Sequence, residues 1–154
     1  MPEGSGTGAH DPFGGRPPTS HERMTGLPWD ASYHDGPAPW DVGRPQPAVV
    51  RLASTGGFAG AVLDAGCGTG ENAQRPGYVA SLASVTEPGG ALYVLCFSDE
   101  GPDTGPHPVS HEELAAAFRP AQGWNVAAVE PDRVQTRFHD DDGAPAWLAT
   151  IRRI

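Results

Sequence analysis

The chain has no lysine. Its ten basic residues are all arginine, scattered along the sequence against 19 acidic residues, for a net charge of −9. A binder of phosphate backbones needs a positive surface, so this balance excludes nucleic acid as a partner. Long apolar runs are also missing. None approaches the ~18–20 residues of a membrane span, so no membrane partner is expected. The amino terminus has no basic region followed by an apolar core, so no secretory signal is read there. Cysteine is scarce, with only Cys67 and Cys96. Each lies in or beside an expected strand, where a free thiol acts as a small hydrophobe. A reducing, cytoplasmic setting with both thiols free follows as the expectation.

Metal-ligand spacing is lacking too. Of the six histidines, His107 and His111 are four apart. Pro108 and a helix cap at Ser110 separate them, so they do not share a helical face, and no metal is expected. The run Asp140–Asp142 reads as a solvated hairpin turn, since a calcium loop needs more alternating ligands. No Ser/His/Asp or Cys/His arrangement stands out, so no catalytic residue can be named. No internal repeat is found.

What is present begins with glycine and proline. The first 47 residues hold 8 Gly and 9 Pro. Such a stretch buries too little apolar surface to offset its chain entropy. Residues 1–27 are therefore expected to form a disordered tail, and 28–154 the domain. Along the domain, "PAVVRLASTGGF" (47–58) predicts a short helix between Pro and a Gly pair. "AGAVLDAG" (59–66) is an apolar run ending in glycines, suited to a buried parallel strand. "GYVASLASV" (77–85) predicts a helix stopped by "TEPGG". "ALYVLCF" (91–97) is the best buried-strand candidate. Ser110 opens a helix, with Glu113 completing a capping box. "WNVAAVE" and "VQTRF" predict strands, or one strand broken at "PDR". "AWLATIRRI" (146–154) alternates like a strand with one buried face. The order is that of an α/β fold with a parallel core and an antiparallel end.

The segment "LDAGCGTG" follows the first expected strand and reads G-x-G-x-G at Gly66, Gly68 and Gly70. A dinucleotide fingerprint wants G-x-G-x-x-G, and Glu71 stands where a small residue is needed, so hydride chemistry on NAD is disfavoured. A Walker loop needs lysine. The stretch resembles the first motif of class I S-adenosylmethionine-dependent methyltransferases. "EPGGALYVLCF" resembles the same family's turn and following strand. "WDASYHDGPAPWDVGRPQP" (29–47) resembles the aromatic segment that folds over the cofactor in its small-molecule members, of thiopurine and thiol type.

The resemblance implies a Rossmann-like fold, S-adenosyl-L-methionine as cofactor and a small-molecule acceptor. It implies that Gly66, Gly68 and Gly70, with Cys67 among them, approach the cofactor's methionine end. Glycine suits that loop because it has no Cβ and adopts positive φ freely. Asp64 would orient the loop and the amino group. Trp29, Tyr33 and Trp40 would cover the cofactor, or pack on the sheet edge, since aromatic bodies need burial.

The chain departs from the family in its middle. Only "ENAQRP" stands between the glycine loop and the substrate-side helix. The acid expected ~20 residues after the glycines for the ribose hydroxyls is absent with the rest. Glu87 has nearly that spacing but sits in a turn at the wrong end of a strand. Glu71 and Asp99 are better placed, with surface solvation as the alternative for both. The expected fold is thus a shortened Rossmann-like methyltransferase sheet. Strand 59–65, helix 77–85 and strand 91–97 would form one right-handed βαβ unit, followed by an antiparallel C-terminal hairpin. Edge strand 59–65 would be exposed and could pair two copies of the chain. Three readings remain open at this point: a methyltransferase, a non-enzymatic remnant of one, and an interaction module that pairs through its open edge.

Overall fold

The computed structural model describes residues 11–18, 22–23, 26–28, 31, 34, 42–61, 76–101, 108–137, 139 and 141–154. Within them, helix α1 spans Pro47–Ser54, α2 Pro76–Val85 and α3 His111–Ala117. Strand β1 spans Ala91–Phe97, β2 Trp124–Val134 and β3 Ala144–Arg153. A 3₁₀ turn over Pro120–Gln122 leads into β2.

The three strands form one sheet in the order β1-β3-β2. Both pairings are antiparallel. The hairpin expected at the C-terminal end is therefore present, and its second strand lies at the centre of the sheet. The parallel core is not seen among the described residues. Their parallel pairing is a single bridge, Ser98 to Val109. Residues 59–61, expected to open a parallel strand, are exposed and outside any strand, with Gly60 at φ 73°. Residues 62–65 lie outside the described residues.

Pairing explains which side chains meet. Leu92, Val94 and Cys96 of β1 stand opposite Ile151, Ala149 and Trp147 of β3, on one face. Val126 and Val129 of β2 stand opposite Ile151 and Ala149. They are three apart yet share that face, because the register shifts between Val126 and Ala128. A bulge adds one residue and resets the period-two alternation. Onto this face pack Val79 and Leu82 from α2, Leu114 from α3 and Phe118 just past its end. Phe118 meets Trp124 edge to face, with ring centroids 5.8 Å apart. This is the core of the described residues.

Strand β2 runs through Pro131 rather than breaking at "PDR". It lies at a sheet edge, where proline is tolerated. The strand expected over 134–138 stops at Val134. Gln135 instead exchanges hydrogen bonds with Gln46, whose side chain accepts from Gln135 N at 2.8 Å and donates to its carbonyl at 2.9 Å. Helix α1 is thereby tied to the end of β2, and the Arg51–Asp132 ion pair adds a second tie. Within the stretch expected as a tail, Glu22 is fully buried, and Arg16 forks onto its carboxylate at 2.5 and 2.7 Å. That bond raises the Arg16 guanidinium pKa above its ordinary value.

Candidate functional site

Strand β1 gives way to Ser98 and Asp99. Two features hold the exit of β1 in position. Ser98 N donates to the Pro145 carbonyl at 3.0 Å, and Val109 N donates to the Phe97 carbonyl at 2.8 Å. The second bond returns the chain to the strand just before α3. There the Ser110 hydroxyl accepts from Glu113 N at 3.2 Å, and the Glu113 carboxylate accepts from Ser110 N at 2.8 Å. Both halves of the expected capping box are formed, which fixes His111 as the first residue of the helix.

Trp147 of β3 organises the cluster. Its indole N–H donates to the Val109 carbonyl at 2.9 Å and, more weakly, to Asp99 Oδ1 at 3.3 Å. His111 meets the indole edge to face, with centroids 4.3 Å apart. Trp147 is buried, whereas Asp99 and His111 are exposed. At the same strand exit Ser98 is 3% exposed, and its hydroxyl has no hydrogen-bond partner among the described residues. A buried hydroxyl without a partner is uncommon and calls for an explanation. Asp99 and His111 thus bring a carboxylate and an imidazole to one buried ring.

Of the acids weighed from the sequence, Asp99 lies in this cluster. Glu87 is exposed in the turn before β1, at the opposite end of that strand. Glu71 lies outside the described residues, as do all eight candidate cofactor residues: Trp29, Tyr33, Trp40, Asp64, Gly66, Cys67, Gly68 and Gly70. Sequence reasoning missed Ser98, His111 and Trp147 as a group. One signal was available, namely a serine directly after a wholly apolar strand. No group of side chains able to hold a metal ion occurs among the described residues. No helix among them is long and apolar enough to cross a membrane.

No family model matches the chain. Among curated proteins, it is 44% identical over 43 residues to a probable thiol methyltransferase 2 of Arabidopsis thaliana. Over that stretch the chain is methyltransferase-like. The stretch is 27% of this chain, and the chain spans 19% of that relative's length. Among solved structures, it resembles a protein studied for the conversion of a disulfide bond into a thioacetal group during echinomycin biosynthesis. The TM-score is 0.65 over 81% of this chain and 90% of the other, at 20% identity. At that identity the likeness is one of fold. It shows that the methyltransferase-like stretch belongs to a chain folded over most of its length like a known protein.

Proposed function

We propose that the chain is a shortened S-adenosyl-L-methionine-dependent methyltransferase whose acceptor is a small molecule of thiol type. The observation that carries this reading is the 43-residue similarity to a thiol methyltransferase, joined to the glycine loop "LDAGCGTG". The cofactor would supply an activated methyl group. The protein's part is then to hold donor and acceptor in line and exclude water. Gly66, Gly68 and Gly70 would let the backbone approach the cofactor, Asp64 would orient its amino group, and Trp40 would cover it. The cluster beyond β1 would line the acceptor side.

The short link "ENAQRP" favours a second reading, in which the chain is a remnant that folds but does not turn over. One experiment separates the two. The full chain is incubated with millimolar S-adenosyl-L-methionine and a series of small thiols, and S-adenosylhomocysteine is quantified against Gly68→Val. Product from the wild type that the valine variant does not make supports the methyltransferase. Equal yields from the two proteins remove the glycine loop from the reaction, and no product from either selects the remnant.

A further inference from the structure

A sheet edge is a template for another strand, and proteins guard it with charge, proline or bulges. The two outer strands of this sheet differ in that respect. Strand β2 carries Glu130, Pro131, Asp132 and Arg133, and its register shifts after Val126. Strand β1, "ALYVLCF", has no charge and no proline, and its register with β3 is unbroken from Ala91 to Phe97. We propose that the outer edge of β1 pairs with β1 of a second copy of the chain, antiparallel, with each Tyr93 opposite the other. This interface is independent of the methyltransferase reading.

Alternation decides which backbone groups are available. Arg153 N donates to the Gly90 carbonyl at 2.9 Å, and Ser98 N donates to the Pro145 carbonyl at 3.0 Å. In an antiparallel pair every second residue bonds its neighbour. Gly90, Leu92, Val94, Cys96 and Ser98 therefore turn their backbone groups to β3, and Ala91, Tyr93, Leu95 and Phe97 turn theirs outward. The Phe97 carbonyl accepts Val109 N at 2.8 Å, which closes the edge at that end. From Ala91 to Leu95 the outward amides and carbonyls have no hydrogen-bond partner among the described residues. Ala91, Tyr93 and Leu95 are all partly exposed.

This open stretch is complementary to itself. A two-fold axis through Tyr93 sets Tyr93 against its own copy and Ala91 against Leu95. Both are pairs of outward residues, so each exchanges two hydrogen bonds. Leu92 and Val94 meet between them. A register centred on Val94 would need the Phe97 carbonyl, which Val109 already holds. No charge lies in the contact, although two chains of net charge −9 repel elsewhere. A two-fold contact also closes on itself, so pairing stops at a dimer. The contact is one strand wide, far below a standard interface, so the dimer forms only at high protein concentration.

The test uses the full chain. Sedimentation velocity should show monomer at low micromolar concentration and dimer towards millimolar. Over the same range, amide exchange at Tyr93 and Leu95, read by NMR, should slow several-fold, while Val94, already turned to β3, changes little. Tyr93→Glu and Tyr93→Lys each place like charges opposite one another, so each alone should stay monomeric. Mixed together they should pair, and circular dichroism checks that both are folded. A wild-type chain that stays monomeric would overturn the proposal. Fast exchange at Tyr93 and Leu95 would then leave the edge to an extended segment of another protein, and slow exchange would mean that the chain covers it itself. A dimer in which those two amides exchange as fast as in the monomer would lie elsewhere and overturn it too. Folded variants that pair alone, or fail to pair when mixed, would overturn the Tyr93 register.

Discussion

Gln46 and Gln135 stand 89 positions apart and exchange two hydrogen bonds as if they were neighbours in a ladder. Gln46 is the residue before helix α1, yet its side chain does not cap that helix. It serves the backbone of Gln135 instead, just past the end of β2. We expect Gln46→Ala to leave both polar groups of Gln135 short of a partner. The loss should be ~1–3 kcal/mol. A urea titration followed by tryptophan fluorescence checks this. An unchanged midpoint would mean that solvent replaces both bonds without cost.

Ser110 gives a cleaner case, because both halves of its capping box are made. Ser110→Ala should destabilise the fold by ~0.5–2 kcal/mol, and Ser110→Asp should recover most of that. The pair of variants separates capping from general surface effects. If Asp is as damaging as Ala, the cap is not what holds α3 in place.

Gly143 closes the β2–β3 hairpin with φ 73°. A Cβ there would meet the Val134 carbonyl oxygen at 2.7 Å. Gly143→Ala therefore combines a left-handed backbone cost of ~1–2 kcal/mol with a contact against backbone that cannot swing aside. Thermal unfolding should fall by several degrees. A variant that melts like wild type would show that the turn relaxes freely.

Cofactor affinity should be low. The link "ENAQRP" leaves no room for the parts that grip ribose and adenine in the family that the glycine loop resembles. A charged hydrogen bond to a hydroxyl is worth ~1.5–3 kcal/mol. Its loss together with the adenine walls should remove ~4 kcal/mol, roughly a thousandfold in affinity. Isothermal titration should give a millimolar Kd for S-adenosyl-L-methionine. Micromolar binding would mean that other residues, Glu71 or the aromatic segment 29–40 among them, have taken over the grip.

Legibility in the sequence followed local chemistry. Strand β1 was readable to the residue, because "ALYVLCF" is wholly apolar and is bracketed by Gly-Gly and Ser-Asp. Helix α3 was readable from Ser110 and Glu113 alone. Strand β2 was not. Its bulge after Val126 breaks the alternation that a strand is recognised by, and Pro131 looks like a terminator unless the edge position is known. The glycine loop was legible as a motif, and its placement lies outside the described residues. The cluster beyond β1 was nearly invisible. Trp147 lies 48 positions from Asp99 and 38 from Val109. Only the pairing of β1 with β3 brings them together.

That pairing also has a consequence in time. Strand β3 sits between β1 and β2, yet it follows both in the chain. During synthesis its two neighbours emerge first, with no ladder among the described residues to join until it arrives. The outer strands must wait, each with an unpaired row of amides, and β1 waits longest, since closing the larger loop costs more entropy and takes longer. The sheet cannot grow strand by strand as it leaves the ribosome. It completes in one late step, when the middle slides in last. A nascent chain stopped short of residue 144 should therefore expose two sticky edges, and it should bind a chaperone more than one extended past β3.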